Sequence, residues 1–245
     1  MTTSSPGMRK EATLLEGPSS KGVVLDQNMA DDAITKGAYV DLSNLGTWER
    51  FKEVVASALD RIQATDGDLQ KRAIGSRLVP DVGRSIFPFK NAMIRLVTLA
   101  RETHASGHKV IFVGNGGSAA IASHMAIDWT KNGGIRSIAL NDPATLTCLG
   151  NDFGYENVFA KQLEFYATPS DLVIIISSSG RSPNILATGK WACDNGLRVV
   201  TLSGMEHSNE LRRMGELNFY VPANDYGPVE LAHICLLHSV VSVRW

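Results

Sequence analysis

Beyond Gly107 the chain alternates short apolar runs with helix-length segments, and this alternation limits the fold more than any other feature. The runs are KVIFVG (109–114), RSIAL (136–140), DLVIII (171–176), LRVVTL (197–202) and LNFYV (217–221). Several lack the polar alternation of a half-exposed strand, so both of their faces must be covered. Between them, residues 118–131, 155–167, 182–195 and 209–214 are long enough to serve as helical crossovers, and 229–245 reads as a closing apolar helix. Repeated strand–helix–strand units of this kind predict an α/β three-layer sandwich around a five-stranded parallel sheet.

Two further helices are expected ahead of the sheet. Over 47–64, Phe51, Val54, Val55, Ala58, Leu59 and Ile62 recur at helical spacing. A second helix is expected over 84–104, carrying Ile86, Met93, Ile94, Leu96, Val97 and Leu99. Residues 1–45 are rich in Ser, Thr, Gly and Asp without a sustained period, and read as a flexible N-terminal extension to a domain spanning 46–245.

Composition narrows the function classes. With 24 Lys+Arg against 25 Asp+Glu, the net charge of -1 offers no polybasic surface for direct nucleic-acid binding or for a membrane. No apolar run reaches the length of a membrane span. Cys148, Cys193 and Cys235 have no CxxC spacing and sit in apolar sequence, which reads as buried free thiols of a reducing compartment. A cytoplasmic protein is expected, and any phosphate site must be built locally.

Two strands end in small-residue turns that lead straight into helices: GNGGS (114–118) and SSSGRS (177–182). Backbone N–H groups converge at such helix starts and favour an anion. In a parallel sheet both turns lie at the same edge, where they can share one ligand. The glycine spacing matches neither a dinucleotide fingerprint nor a P-loop, so no nucleotide cofactor is expected. Ser177, Ser178, Ser179 and Ser182 add hydroxyl donors for a phosphate monoester, with Lys131 and Arg181 the nearby cations.

His124 and Asp128 stand one helical turn apart on the helix opened by GNGGS, and Glu230, His233 and His238 lie on the last helix. Such carboxylate–imidazole sets make either a divalent-metal site or an acid/base pair. Glu230 and His238 are separated by about 12 Å of helix rise. His233, on an apolar helix, reads as a core residue.

Four blocks in order, GNGGSAAIASHMAIDW, TCLGNDFGYENVF, ISSSGRSPN and ELAHICLLH, resemble the phosphoheptose isomerase family of sugar isomerase (SIS) domains, over about 47–245. The resemblance implies the SIS fold, a homotetramer with active sites at subunit interfaces, conversion of sedoheptulose 7-phosphate to a heptose 7-phosphate through an enediol, and zinc or another divalent metal. It implies Asn115, Gly116, Gly117 and Ser118 as a first substrate loop, Asn151 and Asp152 as a second, and the four serines as the phosphate loop. Asp128 and His238 become the catalytic pair, Glu230 a substrate contact, and His124, Asp128, Glu230 and His238 the metal ligands. The chain also departs from the family: Asp128 replaces a glutamate base, Glu230 a glutamine ligand, Asn132 an arginine and Arg181 a small amide. Because Asp128 and His238 remain ionisable, catalysis is favoured over a non-catalytic module that binds a sugar phosphate or a replication protein. Isomerisation of another long-chain sugar phosphate also fits the changed base.

Overall fold

The computed structural model describes residues 46–66 and 86–242. These residues form one seven-stranded sheet, β1 (Gln63–Asp66), β2 (Ile86–Phe87), β3 (Val110–Gly114), β4 (Ser137–Ala139), β5 (Leu172–Ser177), β6 (Arg198–Gly204) and β7 (Leu217–Val221), in the order β2-β1-β7-β6-β5-β3-β4. The five apolar runs form its parallel part, β3 to β7. Side-chain alternation on these strands splits the core in two. Val110, Phe112, Leu172, Ile174 and Ile176 pack beneath α2 (Phe89–Ala105), α3 (Gly117–Lys131) and α7 (Tyr226–Ser242). On the opposite face, Ile111, Val113, Val173 and Ile175 meet α4 (Pro143–Phe153), α5 (Val158–Tyr166) and α6 (Pro183–Asp194). Two buried faces explain the unbroken apolar runs.

Before the parallel strands come α1 (Gly46–Asp60) and two short strands that the sequence reading missed, β1 and β2. They extend the sheet as antiparallel strands beyond β7, with Gln63 opposite Tyr220 and Thr65 opposite Ile86. The expected first helix therefore stops at Asp60, because pairing with the β7 edge overrides local helical spacing. The second starts at Phe89 rather than 84: Pro88 disfavours helix in the residue before it, and Ile86 and Phe87 stay extended. Residues 209–214 shorten to a 3-10 turn over Leu211–Arg213. The proposed extension 1–45, the polar stretch around 67–83 and Trp245 lie outside the described residues.

The order β4-β3-β5-β6-β7 means that the chain reverses its direction of travel across the sheet between β3 and β5. In open α/β sheets the crevice outside the carboxyl ends of two such strands is where ligands bind. Gly114 pairs with Ile176 and Ser177 with Ser203, so these ends are level with one another.

Trp129 fixes α3 against α7. Its ring is fully buried edge-on to Phe112, with centroids 5.0 Å apart, and its Nε1–H donates to the Leu237 carbonyl at 3.1 Å. The neighbouring residues Asp128 and His238 are brought face to face as a result. None of the three cysteines forms a disulfide, and all are exposed, against expectation. For Cys235 the apolar neighbours Ile234 and Leu236 lie on other faces of the helix, roughly 100° away per residue.

His233 occupies the core as expected. It is fully buried, and its Nε2–H donates to the Ser203 carbonyl at 3.2 Å. Burial pushes its pKa down to about 4, opposed only in part by the Ser203 hydrogen bond. The unfolded imidazole takes its proton near pH 6.5, so the unfolded state binds more protons between that pH and 4. Stability should therefore fall as pH drops through this window, by about 3 kcal/mol in full. Urea titrations at several pH values will show the loss, and His233→Gln, which keeps a donor for Ser203, should flatten it.

Candidate active site

A cavity of about 350 Å³ opens at the carboxyl ends of β3 and β5, lined by Asn115, Gly116, Gly117, Ser118, Ser177, Ser178, Ser179, Ser182, Tyr226 and Glu230. The two small-residue turns therefore face one space. Gly116 has φ +52 and ψ -122, a conformation in which a Cβ would clash with its own backbone, and this turns the chain from β3 into α3. Asn115 and Asn184 tie the two turns together by exchanging side-chain hydrogen bonds, Nδ2 to Oδ1, at 2.9 and 3.0 Å. The Tyr155 hydroxyl donates to Asn115 Oδ1 at 3.3 Å.

The serine turn is short of partners where it meets the cavity. Ser178 Oγ is buried without a hydrogen-bond partner. Ser182 stands at the N-cap of α6, yet its hydroxyl makes no capping bond. A buried hydroxyl left in this state costs on the order of 1–3 kcal/mol, which an oxyanion at the turn would recover. Beneath the turn, Asn209 is buried and donates to the Ser203 hydroxyl and to the Gly204 and Glu206 carbonyls at 3.3, 3.2 and 2.8 Å. Neither cation lines the cavity: Arg181 forms an ion pair with Glu206, and Lys131 lies at the far end of α3. The donors on this side of the cavity are therefore neutral.

Glu230, half-buried on α7, extends across the mouth of α3, and a Cβ on Gly117 would lie 2.6 Å from its carboxyl carbon. Among the described residues it makes no hydrogen bond or ion pair. Tyr226, one turn earlier on α7, also lines the cavity and was missed; its i−4 spacing from Glu230 was the available signal.

Asp128, His124 and His238 form a separate cluster. His238 Nδ1 lies 3.3 Å from Asp128 Oδ2, and its Nε2 lies 3.1 Å from His124 Nε2. The other Asp128 oxygen accepts from Asn132 Nδ2. A carboxylate only accepts, so a hydrogen on His238 Nδ1 suits the Asp128 side, and of the two facing Nε2 atoms one donates to the other. The four expected metal ligands do not converge. Asp128 lies on the Nδ1 side of His238, His124 on the Nε2 side, and Glu230 two turns away beside Gly117. No group of three or more His, Cys, Asp or Glu side chains among the described residues is arranged for an ion, so this donor set does not fit a four-ligand metal.

Asn151 and Asp152 lie in a helix rather than a loop, outside the lining residues of this cavity. They end α4, which Asp142 caps by accepting from Thr145 N at 2.8 Å, with Pro143 in the first turn. Asn151 donates to Asp152 across 2.8 Å, and neither residue lines the cavity. The Asp-Pro pair was the sequence signal for this helix.

Residues 89–204 match the family model of the SIS domain. The phosphoheptose isomerase of Aliarcobacter butzleri is 37% identical over 151 residues, 59% of this chain and 79% of that protein. That of Helicobacter hepaticus is 33% identical over 166 residues, 65% of this chain and 84% of that protein. The solved phosphoheptose isomerase of Neisseria gonorrhoeae superposes with a TM-score of 0.60 at 26% identity, covering 80% of this chain and 97% of its own. No helix among the described residues is long and apolar enough to cross a membrane.

Proposed function

The chain belongs to the phosphoheptose isomerase family of SIS-domain proteins, and from that premise we propose that it interconverts an aldose and a ketose phosphate, sedoheptulose 7-phosphate and a heptose 7-phosphate. The observation that carries this reading is a cavity lined both by a serine turn whose buried Ser178 hydroxyl has no hydrogen-bond partner and by Glu230, a carboxylate without a hydrogen bond among the described residues. The phosphate occupies the turn at Ser177, Ser178, Ser179 and Ser182, where hydroxyls and the start of α6 hold it. Binding energy gained there positions the sugar carbons at the other end of the substrate.

The reaction needs no external reactant. A carboxylate takes the proton from C1 of the ketose, and the C–H electrons become the C1–C2 double bond as the carbonyl oxygen at C2 gains a proton. The protonated carboxylate, its proton exchanged with solvent, then delivers a proton to C2 while the C1 hydroxyl loses its own, leaving the aldehyde. His238, oriented by Asp128 and backed by His124, carries the proton between the two oxygens. NMR of the purified protein with sedoheptulose 7-phosphate should show a new heptose 7-phosphate, and sedoheptulose without its phosphate should react far more slowly. Equal rates for the two sugars would remove the phosphate turn from the account.

The assembly we read as a homotetramer in the cytoplasm, with active sites at subunit contacts. Ile127 on α3 and Leu231 on α7 are 59% and 39% exposed, on the two helices that carry His124 and His238. A second copy over that surface would cover both the apolar side chains and the imidazoles. Light scattering should give a mass well above the 26.5 kDa of one chain; a monomer at assay concentration refutes the assembly.

A further inference from the structure

We infer that the two carboxylates of the site have divided roles: Glu230 takes the carbon-bound proton, and Asp128 is a positioning residue that acts only through His238. This rests on the isomerase reading and specifies its base. Both oxygens of Asp128 are engaged, one by Asn132 and the other by His238, and Asp128 does not line the cavity. Glu230 is the reverse case. It lines the cavity beside the phosphate turn, and no described residue donates a hydrogen bond to it.

Chemistry favours the same division. A general base must present a lone pair to the C–H bond within contact distance, and a carboxylate that accepts from Asn132 on one oxygen and has the His238 ring 3.3 Å from the other is poorly placed to do so. The same two contacts suit an orienting group, since a carboxylate on Nδ1 fixes which imidazole nitrogen faces outward. About 12 Å of α7 rise separates the backbones of Glu230 and His238. The asparagine at 132 also acquires a purpose: it holds the short Asp128 side chain toward His238.

The test compares Glu230→Gln with Asp128→Asn, following uptake of solvent deuterium into the sugar phosphate in D2O. Glu230→Gln should lose exchange by a factor of about 1,000 or more at nearly unchanged KM, and Glu230→Ala should regain part of it with added formate. Asp128→Asn should keep carbon exchange within about tenfold of the parent, lower kcat rather than raise KM, and lose the downfield Nδ1–H resonance of His238. That resonance should persist in Glu230→Gln. If Glu230→Gln exchanges at the parental rate, or formate fails to restore Glu230→Ala, Glu230 is not the base. Abolished exchange in Asp128→Asn assigns the base to Asp128 and overturns the inference alone. Absence of exchange in the parent protein overturns the isomerase reading, and the inference with it.

Discussion

Alanine at Gly117 is expected to lower kcat/KM by about 100-fold while leaving thermal stability unchanged or slightly raised. The reason lies in what surrounds each glycine of the first turn. At Gly117 the backbone is already helical, so alanine is tolerated there and even favoured over glycine. Its Cβ, however, would lie 2.6 Å from the carboxyl carbon of Glu230, the far end of a flexible side chain that gives way. The displaced group is the proposed base, and misplacement of about 1 Å is enough for a loss of this size. At Gly114 a Cβ would meet the Ser118 backbone carbonyl at the same 2.6 Å, and backbone does not yield, so alanine there should damage the fold instead. Steady-state kinetics beside a circular-dichroism melt separates the two cases. A Gly117→Ala enzyme of full activity would mean that Glu230 has no fixed place in catalysis.

Asparagine at Asp171 should produce the largest loss of stability of any conservative change in the described core, about 3–5 kcal/mol at neutral pH. Asp171 has no exposed surface, and it lies at the amino end of β5, opposite the cavity. Its carboxylate accepts from Lys109 Nζ at 2.6 Å, from Lys109 N at 2.9 Å, from Thr168 N at 2.8 Å and from Thr168 Oγ1 at 3.1 Å. It thereby joins the start of β3 to the turn before β5. Burial alone would raise its pKa, but the Lys109 and Thr168 hydrogen bonds outweigh burial and hold it below the ordinary carboxylate value of 3.8. Its contribution is therefore present above that value and is lost as pH falls through the lower folded pKa. Asparagine leaves the Lys109 ammonium without its counter-charge. Adding Lys109→Met to Asp171→Asn should recover part of the loss, since an absent ion pair costs less than a broken one. Urea unfolding of the parent, the single variant and the double variant measures this, and an unchanged midpoint in Asp171→Asn contradicts it.

The sheet was legible because burial on both faces leaves an unmistakable trace. All five parallel strands fall on the apolar runs, and the two glycine-serine turns stand at level strand ends. β1 and β2 were not legible, since QATD and IF carry no period; β1 pairs because β7 offers an open edge, and β2 because β1 then does. Spacing within one helix could show that His124 and Asp128 share a face. It could not show that Asn132 would take one oxygen of Asp128 and His238 the other, because that depends on Trp129 fixing α3 to α7. Likewise the resemblance grouped four residues as metal ligands, whereas folding leaves Glu230 in the cavity and Asp128 behind His238. What distinguishes the two is that Asp128 has Asn132 and His238 beside it, whereas Glu230 makes no hydrogen bond among the described residues.

The central claim is enediol chemistry on a phosphorylated sugar held by the serine turn. Its most direct test is to incubate the full-length parent protein in D2O with sedoheptulose 7-phosphate and follow the sugar carbons by NMR. The account predicts deuterium at C2 of the aldose phosphate formed and at C1 of the recovered ketose phosphate. Full conversion with no deuterium at either carbon, in both directions of reaction, would mean direct hydride migration between the carbons; no conversion and no label would leave a protein that binds sugar phosphates without transforming them. Either result contradicts the account.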